Sequence, residues 1–126
     1  MSKILIIEDD APIIKLFQEV FPMAGLEIEI LVSGKEGIKR IQEIKESKKE
    51  KPGLILLDLI LPDINGIEVL KEAKKYPETK GLKIYALTNY SNPEFNEELI
   101  KEGIDKILVK AQYSLNELVE IIKEAL

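Results

Sequence analysis

Leu54-Ile55-Leu56-Leu57-Asp58 is a run of four apolar residues that ends in a carboxylate. It leads into Leu59-Ile60-Leu61-Pro62 and the turn-rich Asp63-Ile64-Asn65-Gly66. A short unbroken apolar run suits a strand covered on both faces, as in a parallel sheet packed between helices. Asp58 stands where such a strand meets its loop. In open α/β sheets the crevice at the strands' C-terminal ends is the usual site of chemistry. Taken alone, Asp58 reads equally as a residue that caps the next turn.

Working outward, strand-like and helix-like segments alternate with no linker, repeat or low-complexity stretch. Lys3–Glu8 reads as the first strand. Asp10-Ala11-Pro12 opens a helix with proline in its first turn. Ile13, Phe17, Val20 and Ala24 share one face of it, and Gly25 ends it. Glu27–Val32 alternates like a half-buried edge strand. Ser33-Gly34-Lys35-Glu36 has capping-box spacing and starts a helix with Ile38, Ile41 and Ile44 inward. That helix decays into the charged run Lys45–Lys51 and stops at Pro52-Gly53. After Leu54–Asp58 come a helix from about Gly66 to Lys75 (Val69, Leu70 and Ala73 inward) and a strand at Lys83–Thr88. Asn92-Pro93 begins a helix that buries Phe95, Leu99 and Ile100 and ends at Gly103. Lys106–Val109 is a short fifth strand. Ser114-Leu115-Asn116-Glu117 is a second capping box, opening a helix with Leu118, Ile122 and Leu126 on one stripe. Five strands and five helices in βα alternation, with right-handed crossovers, predict a flavodoxin-like doubly wound parallel sheet of order 2-1-3-4-5. The alternating second strand suits its edge.

The chain's 126 residues make one domain with a sizeable core. It has 45% hydrophobic and 33% charged residues, no apolar run of membrane-spanning length and no signal-peptide layout at Met1-Ser2-Lys3-Ile4. The expectation is a cytoplasmic protein that does not engage membranes. A net charge of −5 argues against nucleic-acid binding. With no cysteine and no histidine, any chemistry falls to carboxylates, hydroxyls, lysines and backbone.

The strand ends supply those groups: Glu8-Asp9-Asp10, Asp58, Thr88-Asn89 and Val109-Lys110. A parallel sheet gathers them on one edge. Clustered carboxylates repel and raise each other's pKa values, which a hard divalent cation relieves. Oxygen ligands with retained waters suit Mg²⁺. A hydroxyl and an ammonium beside a carboxylate make a pocket for a phosphoryl group carried on that carboxylate. Singly, each has a plainer reading: Glu8-Asp9-Asp10 as a helix cap, Thr88 as a strand residue, Lys110 as an edge lysine.

In Ile4-Leu5-Ile6-Ile7-Glu8-Asp9-Asp10, Asp58-Leu59-Ile60-Leu61-Pro62-Asp63-Ile64-Asn65-Gly66, Leu87-Thr88 and Val109-Lys110, the chain resembles a response-regulator receiver domain of two-component signalling, of the stand-alone CheY-like kind. The resemblance covers essentially all of residues 1–126 as one receiver domain and leaves nothing over for an effector domain. It implies a phosphorelay switch rather than an enzyme, catalysing only its own phosphorylation and dephosphorylation. Asp58 would accept a phosphoryl group from a sensor histidine kinase or a phosphotransfer protein, with Mg²⁺ as cofactor. Asp9, Asp58 and the backbone carbonyl of Ile60 would hold the ion directly, and Glu8 would act through water. Thr88 and Lys110 would contact the phosphoryl oxygens. The face of the fourth helix, fifth strand and fifth helix would then change and be read by a downstream protein. The expected state is a monomer or a weak phosphorylation-dependent dimer.

The chain departs from the family pattern at Asn89, where a small residue is usual, and at Ala111, where proline often follows a cis peptide. A cis bond before a non-proline residue costs about 2.5–4 kcal/mol, so the Lys110–Ala111 bond is expected to be trans. Ile107 stands where the family has its switch aromatic. Ile60 and Tyr90 are bulky, and neither positions water, which predicts a long-lived phosphoryl-Asp58. A phosphohydrolase would want an acid at position 60, and a flavin site a Gly/Ser/Thr-rich loop after the first strand. A receiver-like scaffold that binds partners without phosphorylation is the remaining alternative.

Overall fold

A computed structural model describes residues 3–89 and 92–126. Met1, Ser2, Tyr90 and Ser91 lie outside the described residues, and the expectation that rests on Tyr90 lies there with them. Five parallel strands, β1 (Lys3–Ile7), β2 (Glu27–Leu31), β3 (Leu54–Asp58), β4 (Ile84–Thr88) and β5 (Lys106–Val109), form one sheet of order β2-β1-β3-β4-β5. The expected strand order holds. β3 is buried along its whole length, while β2 at the edge is only partly covered.

Side chains alternate across the sheet with period two. Leu5, Ile7, Ile55, Leu57, Ile84 and Ala86 face one layer of helices: α2 (Gly34–Lys45), α3 (Ile67–Lys74) and α5 (Pro93–Lys101). Ile4, Ile6, Leu54, Leu56, Tyr85 and Leu87 face the other, built from α1 (Ala11–Met23) and α6 (Leu115–Ala125). There Phe17 and Phe21 stack with ring centroids 4.8 Å apart.

The described residues contain six α-helices, one more than the pattern predicts. The extra one, α4 (Pro77–Lys80), is a single turn, too short to show a period. Pro77 starts it, and Thr79, fully buried, donates through Oγ1 to the carbonyl of Ala73 at 2.6 Å. Two expected core positions are instead exposed, Ile100 at 66% and Leu126 at 45%. Ile100 is one residue, about 100° around the helix, from the buried Leu99. Leu126 lies past the end of α6, whose buried stripe is Leu118, Val119, Ile122 and Ala125.

Ser114 and Glu117 form the reciprocal capping box expected of them. At α2 the box is only half made. Ser33 Oγ accepts from the Glu36 amide at 3.2 Å, but Glu36 turns to the Val32 amide at 3.0 Å. α2 also ends earlier than expected, at Lys45 rather than at Pro52-Gly53. Ser47 sits at φ 60° with its amide on the Ile44 carbonyl and the Lys48 amide on that of Glu43. This is the left-handed helix ending that glycine makes without strain, and Gly25 (φ 81°) makes it after α1. Ser47→Gly is therefore expected to stabilise the protein by about 0.5–1 kcal/mol, read as a rise of a few degrees in Tm.

Candidate functional site

The register sets the C-terminal strand ends side by side: Ile7 opposite Leu57, Asp58 opposite Leu87, Thr88 opposite Val109. Every predicted group therefore arrives at one edge. Carboxylate oxygens of Glu8, Asp9 and Asp58, one from each, all lie within 4.8 Å of one another. Octahedral Mg²⁺ takes oxygens at about 2.0–2.1 Å, so Asp9 and Asp58 need close only slightly to share one ion, with Glu8 near enough to bond to one of its waters. The acids differ sharply in exposure. Glu8 is 1% exposed and Asp58 6%, whereas Asp9 faces solvent.

Lys110 reaches this cluster from the end of β5. Its Nζ donates to Glu8 Oε1 at 3.0 Å and lies 3.7 Å from Asp58 Oδ2. The lysine is thus paired first with Glu8, and only second with the predicted phosphoacceptor. Glu8 Oε2 accepts from the Asp9 amide at 3.1 Å. Burial, helped by the neighbouring Asp58, pushes the Glu8 carboxyl up to about 7, and Lys110 offsets part of that rise. One proton or one cation is what this arrangement calls for near neutral pH. An all-oxygen donor set with a surplus of negative charge fits a hard divalent ion.

The loop after β3 is built to aim Asp58. The Ile60 amide donates to Asp58 Oδ1 at 3.2 Å. The loop closes on itself through an antiparallel bridge between Ile60 and Asn65 and a 2.9 Å bond from the Gly66 amide to the Leu59 carbonyl. Gly66 is required there: a Cβ would stand 2.4 Å from the Asp58 carbonyl oxygen and 2.8 Å from Leu59 Cα. Thr88 is buried, and it lines a cavity of about 210 Å³ with Ile60, Asn65 and Phe95. Ile60 is 56% exposed at the rim of this cavity.

The departures resolve as follows. The Lys110–Ala111 peptide is trans, and Lys110–Gln112 forms a turn of 3₁₀ helix. Asn89 is exposed. Ile107 packs on the α2–α3–α5 side, whereas Tyr85 and Tyr113 pack on the opposite side of the sheet. Neither tyrosine therefore replaces the aromatic missing at position 107.

One residue of the site region carried no signal in the sequence beyond its place in a turn. Asp63 Oδ1 and Oδ2 accept from the amides of Gly34 and Lys35, each at 2.9 Å. These contacts link positions 28 and 29 residues apart.

No helix among the described residues is long and apolar enough to cross a membrane. The family model described as "Response regulator receiver domain" matches residues 4–123. DivK, a polar-differentiation response regulator of Brucella anthropi, is 28% identical over 125 residues, covering 99% of this chain and 96% of that protein. The chain also matches two longer relatives, spanning 30% of a CpxR homolog from Haemophilus influenzae and 52% of PhoB from Rhizobium meliloti. Among solved structures, a CheY-like receiver domain protein of Methanospirillum hungatei superposes with a TM-score of 0.83 at 31% identity, covering 98% of this chain and 92% of that one. The Mn²⁺-bound form of response regulator Rcp1 gives 0.82 at 30% identity, covering 98% and 91%.

Proposed function

The chain belongs to the response regulator receiver family, and from that premise we propose that it is a switch that takes a phosphoryl group on Asp58 and relays it as a change of surface. The observation that carries the reading is the meeting of Glu8, Asp9 and Asp58 within 4.8 Å, beside an ammonium 3.7 Å from Asp58.

The donor is a phosphohistidine on a sensor kinase or a phosphotransfer protein. An Asp58 oxygen attacks phosphorus in line. The P–N bond breaks, and its electron pair leaves on the imidazole nitrogen, which takes up a proton. The Ile60 amide orients Asp58 by holding Oδ1, leaving the carboxylate's other oxygen for attack. Lys110 neutralises charge as it develops on the phosphoryl oxygens, moving from Glu8 towards the new group. Thr88, buried at the end of β4, donates its hydroxyl to a phosphoryl oxygen and draws the loop after β4 with it. That motion biases the face of α5, β5 and α6, where a downstream protein reads the state.

Asp9, Asp58 and the Ile60 carbonyl would hold a divalent ion, Mg²⁺ in the cell, with Glu8 bonding to its water. When bound, such an ion supplies charge neutralisation between the carboxylates and the incoming phosphoryl group. The Mn²⁺ on Rcp1 supports this assignment by likeness. The chain acts in the cytoplasm, as a monomer or as a weak dimer once phosphorylated.

Incubation with Mg²⁺ and a small acyl phosphate is expected to add one phosphoryl group by intact-mass spectrometry, and a chelator is expected to prevent it. Folded protein that stays unmodified would favour a scaffold that binds partners without phosphorylation. The adduct is expected to be long-lived, because the exposed Ile60 side chain shields the site and cannot orient water. Ile60→Asn is expected to shorten its lifetime about tenfold. Release within seconds in the unaltered protein, unchanged by Ile60→Asn, would contradict this.

A further inference from the structure

The loop from Leu59 to Gly66 is fixed at two points. Its base is fixed to β3, where Gly66 lies against the Asp58 carbonyl and its amide holds Leu59. Its tip is fixed to α2. The first three amides of α2 need acceptors from outside the helix. Glu36 finds Ser33 Oγ at 3.2 Å, while Gly34 and Lys35 both go to Asp63, at 2.9 Å each. Asp63 Oδ1 also accepts from its neighbour Ile64 at 3.0 Å. A second observation is independent of these bonds. A Cβ on Gly34 would stand 2.2 Å from Ile64 Cγ1, so loop tip and helix start are in close contact. Between the two anchors lies Ile60, whose amide orients Asp58.

We propose that Asp63 is a positioning residue: by tying the loop tip to the start of α2, it holds Ile60 in register with Asp58 for divalent-ion binding. The inference rests on reading Glu8, Asp9 and Asp58 as a metal site. A loop fixed only at its base pivots there and swings most at its tip, and that motion is passed to Ile60 through Leu61 and Pro62 and through the Ile60–Asn65 bridge. Loss of the tip anchor therefore moves the Ile60 backbone, and the Asp58 carboxylate with it, although Asp63 touches neither. The carboxylate suits the task because both of its oxygens accept and the helix N-terminus favours a negative charge.

The test is the Mn²⁺ affinity of the full chain, measured by water-proton relaxation, in the unaltered protein, Asp63→Ala, Asp63→Asn and Ser33→Ala. Asp63→Ala is expected to weaken Mn²⁺ binding about tenfold, the size usual for groups that support metal ligands. Asp63→Asn keeps one acceptor oxygen and is expected to fall between. It also carries the test if the alanine variant does not fold. Ser33→Ala removes the other cap of the same helix. It is expected to lower Tm as Asp63→Ala does and to leave Mn²⁺ affinity unchanged. Unaltered affinity in folded Asp63 variants, or an equal loss in Ser33→Ala, overturns the positioning role while the metal site stands. Failure of the unaltered protein to bind Mn²⁺ overturns both.

Discussion

Asp58→Asn is expected to reduce phosphoryl incorporation from a small acyl phosphate to below detection, with the fold intact. An amide has no anionic oxygen to attack phosphorus, and the change also removes a negative ligand from the three-carboxylate cluster. Asp58→Glu is expected to be nearly as damaging, by about a hundredfold or more. One added methylene carries the reacting oxygen well over an ångström from its place and breaks the Ile60 bond that aims it. Unfolding does not explain such losses. Asp58 repels Glu8 in the metal-free protein, so Asp58→Asn is expected to leave Tm unchanged or to raise it without Mg²⁺. Intact-mass spectrometry beside thermal unfolding separates the two effects. A phosphoryl adduct of undiminished yield in Asp58→Asn would place the acceptor elsewhere.

The second large effect is a dependence of stability on pH that only the metal-free protein shows. The Glu8 carboxyl rises from 4.5 to about 7 on folding, chiefly because it is buried and secondly because Asp58 is beside it. Below 4.5 it is neutral in both the folded and the unfolded chain, and the stability that goes with the neutral form is fully present. Between the two values the unfolded chain ionises freely while the fold retains the proton, so stability falls as pH rises and levels off above about 7. The loss is on the order of 3 kcal/mol. Glu29 sits on the other side of this window. Its bond to Arg40 lowers its carboxyl, so its contribution is lost only as pH falls into the acid range. Urea unfolding at pH 5.5 and 8.5 in the presence of a chelator is expected to show the drop. Glu8→Gln is expected to abolish it, and Mg²⁺ to restore stability at pH 8.5 more than at pH 5.5. Equal stability at both pH values in the chelated protein would contradict the account of Glu8.

The fold was legible because its central feature is local. An apolar run such as Leu54–Leu57 has few homes besides a doubly covered strand, and the residues that end each strand need only the topology to bring them together. Caps at Ser114 and the ending at Gly25 are also written in neighbouring residues. What escaped the sequence depends on distance or on a single turn. α4 is too short for a period. Ser47 adopts a conformation that glycine would have announced. Lys110 chooses Glu8 over Asp58 across 102 positions, and no pattern records that choice. Asp63 meets Gly34 and Lys35 only after the sheet has brought the β2–α2 turn beside the β3–α3 loop. The unequal burial of Glu8 and Asp9, adjacent in the chain, is a tertiary property: Glu8 turns inward to Lys110 while Asp9 faces solvent.

The central claim is that acids from the ends of β1 and β3 grip one divalent ion at the phosphoacceptor. A crystal structure of the chain grown with MgCl₂ tests it most directly. The account predicts a six-coordinate ion about 2.0–2.1 Å from oxygens of Asp9, Asp58 and the Ile60 carbonyl, with waters completing the shell and Glu8 bonded to one of them. An ordered site that holds no ion at saturating Mg²⁺, or an ion bound without Asp58, would contradict it.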